Sequence, residues 1–296
     1  MAAPEQLRAA ALLPDFVIIG AMKCATSTLA AQLAAQPGIF LTTPKEPNFF
    51  SDDAVHAQGP DWYRGLFADA APGDLKGEAS THYTKLPTYP QSLARMQALL
   101  PAPRLVYLIR NPLDRVVSHY IHEWTMGVMG GDLEEALNRH PELVSYGCYG
   151  QQVAPYLEAY GPGSVLLTSL EEMTRAPQAV LERVCAHLGY KGTPHWQEAL
   201  ARENVSAERI RRLPLHDLLV EHPLAAALRR ALVPRALRER IRRSRQIQAR
   251  PQMSAATRQR LEAVFAEDFE LLCRLFPGHD HLAASYPFLD MQETRP

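Results

Sequence analysis

An apolar run that ends on a glycine, Phe16-Val-Ile-Ile-Gly20, leads through Ala-Met-Lys23-Cys24-Ala25-Thr26-Ser27-Thr28-Leu29 into an alanine-rich stretch, and this constrains the chain most. The run fits a strand buried on both faces, and the alanine-rich stretch fits a helix. A strand, tight turn and helix in that order aim backbone N–H groups and the positive end of a helix at whatever occupies the turn. Lys23 adds a mobile cation, and Thr26, Ser27 and Thr28 add hydroxyl donors. The segment reads as a cradle for a phosphate or sulfate group.

Residue order inside the loop narrows the ligand. A nucleoside-triphosphatase loop sets its lysine directly before the hydroxyl residue. Here Lys23 comes three residues after Gly20, and the hydroxyls follow later. A second buried-strand run, Arg104-Leu-Val-Tyr-Leu-Ile109, ends in Arg110-Asn-Pro-Leu-Asp-Arg-Val-Val-Ser118-His-Tyr120. Asn111 suits an N-cap, Pro112 the first helical position and Asp114 the first turn. The strand therefore carries Arg110 to the sheet's C-terminal edge, with Ser118 about two helical turns beyond. Nucleotide kinases use a carboxylate at such a place to hold Mg²⁺. An arginine fork with a serine hydroxyl suits a phosphate dianion instead.

Taken together, the two motifs resemble those of sulfotransferases that use 3′-phosphoadenosine 5′-phosphosulfate, in their carbohydrate and bacterial branch. The resemblance implies that Lys23, Cys24, Ala25, Thr26, Ser27 and Thr28 form the loop for the 5′-phosphosulfate. It implies Arg110 and Ser118 at the nucleotide's 3′-phosphate. The family's loop has glycine where this chain has Ala25, so the turn is expected to form without a residue free to take positive φ. A basic residue followed by proline covers the adenosine and 3′-phosphate in the family, and Arg250-Pro251 matches that place. Lys45-Glu46-Pro47-Asn48-Phe49-Phe50 carries Glu46, which matches the base of heparan-sulfate-type relatives. Desolvation against Pro47, Phe49 and Phe50 is expected to raise its pKa towards neutrality. The rival base is His82, in a segment similar to the histidine segment of cytosolic phenol and steroid sulfotransferases. His119 and His122 are expected to pack or face solvent.

The implied reaction is in-line transfer of a sulfuryl group from that co-substrate to a hydroxyl of a sugar, lipid or natural product, with Lys23 stabilising the bridging oxygen. Two other classes stay open: a kinase-like nucleotide-dependent transferase, and a non-catalytic module binding nucleotides or polyanions. No metal, no nucleic-acid partner and no membrane span are expected.

Strand signals at 16–19, 39–41, 75–79, 105–109 and 165–168 alternate with helical patterns at 27–36, 89–100, 113–124, 133–140, 151–160, 177–188 and 255–275. Such alternation predicts a P-loop-like three-layer α/β/α fold, with helices covering both faces of a central parallel sheet. The 296 residues, 47% hydrophobic and 21% charged, suffice for one domain with a proper core. An arginine-rich helical insertion is expected over about 203–250, read as an amphipathic hairpin with a solvated basic face in preference to an anion-binding lid. Net charge is −1, which gives no global attraction to nucleic acid. Four scattered cysteines argue against a disulfide framework. Cys24 reads as a space-filler rather than a nucleophile. The N-terminal stretch is too short and interrupted for a signal or anchor. The expected setting is the cytoplasm, in a bacterial member of the family.

Overall fold

The computed structural model describes residues 12–203 and 250–289. The expected arginine-rich insertion falls, apart from its ends, outside the described residues. In chain order the elements are β1 (Phe16–Gly20), α1 (Thr26–Ala34), β2 (Ile39–Leu41), α2 (Asp53–His56), α3 (Gly59–Gly65), β3 (Leu75–Ala79) and a 3₁₀ turn at Thr81–Thr84. Next come α4 (Ser92–Leu99), β4 (Arg104–Ile109), α5 (Pro112–Met126), α6 (Leu133–Arg139), α7 (Glu142–Ser145), α8 (Tyr149–Tyr160) and β5 (Val165–Ser169). The last are α9 (Leu170–Arg175), α10 (Pro177–Leu188), α11 (Glu198–Glu203), α12 (Ala255–Leu275) and a 3₁₀ turn at Asp280–Ser285.

The five strands form one wholly parallel sheet in the order β2-β3-β1-β4-β5. Every residue of β1 is buried, as is β4 beyond Arg104, which is why both read as unbroken apolar runs. Gly77 of β3 lies against the Phe16 ring, where a Cβ would collide with it. The chain leaves β1 towards β2 on one side of the sheet and leaves β4 towards β5 on the other. The carboxyl ends of β1 and β4 therefore flank a topological switch point, the crevice in which open α/β sheets hold ligands.

Capping explains how α5 starts where it does. The Asn111 side chain accepts from the amides of Leu113 (3.0 Å) and Asp114 (3.4 Å), with Pro112 in the first position. Other helices begin where distant residues say. α8 starts at Tyr149, two residues before its sequence pattern, because Asp268 of α12 accepts from the Gly150 and Gln151 amides at 2.8 and 3.0 Å. No helix among the described residues is long and apolar enough to cross a membrane.

Candidate active site

The turn after β1 is tied down on both sides. Thr84 Oγ1 donates to the Ile19 carbonyl (2.8 Å), and the Ala21 amide donates to Leu108 of β4 (2.7 Å). A Cβ on Gly20 would run into Thr84 Oγ1 and the Tyr107 ring, so only glycine fits this approach. The expectation of a turn without positive φ is corrected here. Lys23 (φ 68°) and Ala25 (φ 65°) both take the left-handed region, at a cost of roughly 1–2 kcal/mol for a residue with a Cβ. Ala25 thereby becomes the N-cap of α1 with no side chain capping the end. The first amides of α1, from Thr26 and Ser27, are left to an outside acceptor by helix geometry. Thr26 is buried, Ser27 exposed and Thr28 half-buried. Cys24 turns inward, its Sγ 3.5 Å from Tyr149 Oη. Burial pushes its thiol up to about 11, which disfavours the reactive thiolate.

Across the switch point, Arg110 Nη1 donates to the Lys23 carbonyl at 3.2 Å. Its Nη2 lies 4.0 Å from Asp114, and its Nε is buried without a partner among the described residues. Arg250 reaches the same carboxylate, Nη2 to Asp114 Oδ1 at 2.5 Å. The segment carrying Arg250 is pinned again four residues on, where the Ser254 amide (2.6 Å) and the Thr257 hydroxyl donate to Glu134 of α6. Ser118 follows two turns along α5, half-buried. The sequence motifs separated by some ninety residues, and Arg250 far beyond them, thus meet at one place.

Glu46 accepts from Lys45 Nζ (2.7 Å) and from Thr81 Oγ1 (3.2 Å). Burial pushes its carboxyl up, but Lys45, the Thr81 hydroxyl and Lys85 together hold it below the ordinary glutamate value. This corrects the expected rise towards neutrality: burial desolvates Glu46, but Lys45, the Thr81 hydroxyl and Lys85 outweigh it. His82 stacks on Tyr89, ring centroids 4.7 Å apart and 12° from parallel, and burial with Lys85 holds it down to about 4.

Lys85, His122 and Glu123 join this neighbourhood although no motif singled them out. Lys85 is 8% exposed, its ammonium 5.8 Å above the Tyr146 ring. Burial lowers it to about 8; Glu46 and Glu123 pull it up, and Arg115 and Lys23 push it down. His122 is lowered first by burial, then by Lys23 and Lys85, against Glu123 and Glu46. The sequence reading placed His122 in packing or solvent; its neighbours are the candidate catalytic charges. Its spacing of four from Ser118, on one face of α5, is the signal that could have found it. His119 does pack, 3% exposed and stacked against Tyr146 at 5.6 Å.

Residues 13–270 match the family model described as the sulfotransferase domain. The chain belongs to that family. Among curated relatives, the mouse (Mus musculus) heparan sulfate glucosamine 3-O-sulfotransferase 3B1 is 29% identical over 191 residues, 60% of this chain and 47% of the relative. The Caenorhabditis elegans bifunctional heparan sulfate N-deacetylase/N-sulfotransferase 1 is 26% identical over 57% of this chain and 21% of its own. The chain thus spans about half or less of these relatives. Its fold is that of a solved sulfotransferase from Alicyclobacillus acidocaldarius (TM-score 0.62, 24% identity, 89% of this chain and 95% of that one). The mouse sulfotransferase SULT7A1, solved with PAP, gives a TM-score of 0.51 at 17% identity over 87% of this chain and 85% of its own.

Proposed function

We propose that this member of the sulfotransferase family moves the sulfuryl group of 3′-phosphoadenosine 5′-phosphosulfate to a hydroxyl of a glycan-type acceptor. The bond from Arg110 to the Lys23 carbonyl carries the reading, because it makes one site of the two anion-binding elements. The buried, unpartnered Nε of Arg110 and the uncapped start of α1 fit the two phosphates of that co-substrate. Thr26, Ser27 and Thr28 would hold the 5′-phosphate, and Arg110, Ser118 and Arg250 the 3′-phosphate. Bound there, the co-substrate supplies an activated sulfuryl group. Lys23 stabilises negative charge growing on the leaving oxygen, and Glu46 takes the proton of the acceptor hydroxyl as its oxygen attacks. The glycan class is supported by the relatives named for heparan sulfate. The four cysteines are all free, which fits a reducing cytoplasmic setting.

Calorimetric titration in the presence of a chelator tests the site. 3′-Phosphoadenosine 5′-phosphate should bind at least about tenfold more tightly than adenosine 5′-phosphate, the scale of one charge-assisted contact of about 1.4 kcal/mol or more. Arg110→Ala should erase most of that preference. Equal affinities in the wild type, or a preference untouched in Arg110→Ala, would put the 3′-phosphate elsewhere. Transfer of radiolabelled sulfate to desulfated heparan sulfate tests the acceptor class.

A further inference from the structure

Glu78, in β3, has no part in the scheme above, yet it is 0% exposed. Its carboxylate accepts three hydroxyls: Tyr63 (2.7 Å) and Tyr83 (2.8 Å) on Oε1, and Ser80 (2.6 Å) on Oε2. A buried carboxylate costs stability unless its lone pairs are satisfied, so an acid here calls for a reason. Each of its three donors touches the loop that carries Glu46. The Tyr63 ring stacks on Phe49 at 4.5 Å and meets Phe50 edge-on at 5.1 Å. The Tyr83 ring lies 5.4 Å from Phe50. Ser80 Oγ accepts the amide of Asn48 at 3.1 Å, where the backbone takes a left-handed φ of 55°.

The direction of these bonds matters. Serine has one hydroxyl proton. Above about pH 7, where Glu78 is ionised, it can only accept, so it draws that proton and turns the Ser80 lone pairs towards the Asn48 amide. The loop is thus fixed by its backbone through Ser80 and by its rings through the two tyrosines. Thr81, one residue past Ser80, then donates to Glu46 itself.

We propose that Glu78 is a positioning residue whose buried carboxylate, acting through Ser80, Tyr63 and Tyr83, holds the 45–50 loop and sets Glu46 against the acceptor hydroxyl. The proposal rests on the reading of Glu46 as the base.

Glu78→Gln keeps the shape but can offer Ser80 an N–H, and Ser80→Ala removes the relay while leaving the carboxylate. Amide hydrogen exchange at residues 45–50 should quicken at least about tenfold in both variants, with β1 and β4 amides unchanged. Sulfate transfer to desulfated heparan sulfate should fall in kcat by roughly 10²-fold, the cost of about an ångström of misplacement. Affinity for 3′-phosphoadenosine 5′-phosphate should hold within about twofold. The double variant should be little worse than the worse single one, because both changes break one network. Unchanged exchange and unchanged kcat overturn the proposal. Quicker exchange with wild-type kcat leaves Glu78 holding the loop and instead removes Glu46 from the chemistry. Should Glu78→Gln lose protection in β1 and β4 too, Ser80→Ala decides, and wild-type turnover there overturns the proposal.

Discussion

A carboxylate can take a proton only while ionised, and Lys45 helps keep Glu46 so. Burial works against this, but Lys45, Thr81 and Lys85 prevail and the carboxyl sits below its ordinary range. As the base, Glu46 would therefore stay ready across neutral and mildly acidic pH, and its own acidic limb in a pH–rate profile lies below about 4.5. Glu46→Gln keeps the size and removes the charge. It should lower kcat by about 10²–10⁴ with affinity for 3′-phosphoadenosine 5′-phosphate nearly constant. Near-normal turnover in Glu46→Gln beside a collapse in His82→Ala would hand the role to His82. At this scale the local motifs were legible: Lys23, the loop hydroxyls and Arg110 are placed by strand–turn–helix chemistry that spacing alone reveals. Lys85 and Glu123 were not legible, because nothing local marks a lysine that only folding brings to Glu46, or a glutamate that it brings to that lysine. The rise expected for Glu46 failed for a related reason: Lys45 stands beside it in sequence, but only folding adds Thr81 and Lys85 and sets the balance against burial.

The strands and the longer helices follow from buried apolar runs and helical spacing, so their places were readable to within a few residues. The short helices α2, α3, α7, α9 and α11 were missed, since four to seven residues rarely establish a helical period, although α6, of similar length, was read. The start of α8 was misplaced for a tertiary reason. Its cap comes from α12, where Asp268, 2% exposed, accepts the Gly150 and Gln151 amides. Asp268→Ala strips two amides of their acceptor in a buried place. The change should cost about 1–3 kcal/mol of stability in urea unfolding. Affinity for 3′-phosphoadenosine 5′-phosphate should stay within about twofold: the loop after β1 meets α8 through the Cys24 side chain, but Thr84 and Leu108 tie the turn down independently of that helix. Wild-type stability in Asp268→Ala would mean that the cap does not fix where this helix begins.

For the whole molecule, the parallel sheet buries ionisable groups along with its core, and their displaced pKa values tie stability to pH. Burial raises Glu78 to about 7 against its three hydroxyl donors, so between its ordinary 4.5 and 7 the folded chain keeps a proton that the unfolded chain releases. Its stabilising contribution is full below 4.5 and is lost as pH rises through 7. Burial lowers His119 and His82 to about 4 from 6.5, so unfolding takes up protons in that window. Their contribution has the opposite sign: present above 6.5 and lost as pH falls through 4. Lys85, lowered by burial to about 8 from 10.5, makes stability rise again between those two values. The carboxylate and the histidines oppose each other across one window, so the wild-type profile alone does not separate them. Comparison with Glu78→Gln does. The amide introduced by that substitution does not titrate, so the stability of wild type minus variant isolates the carboxyl. That difference should fall as pH rises from 4.5 to about 7, by about 3 kcal/mol for a shift of this size, measured by urea unfolding at each pH with m held constant. A flat difference across the window would mean that the hydroxyls of Tyr63, Tyr83 and Ser80 fully offset burial and keep Glu78 ionised throughout.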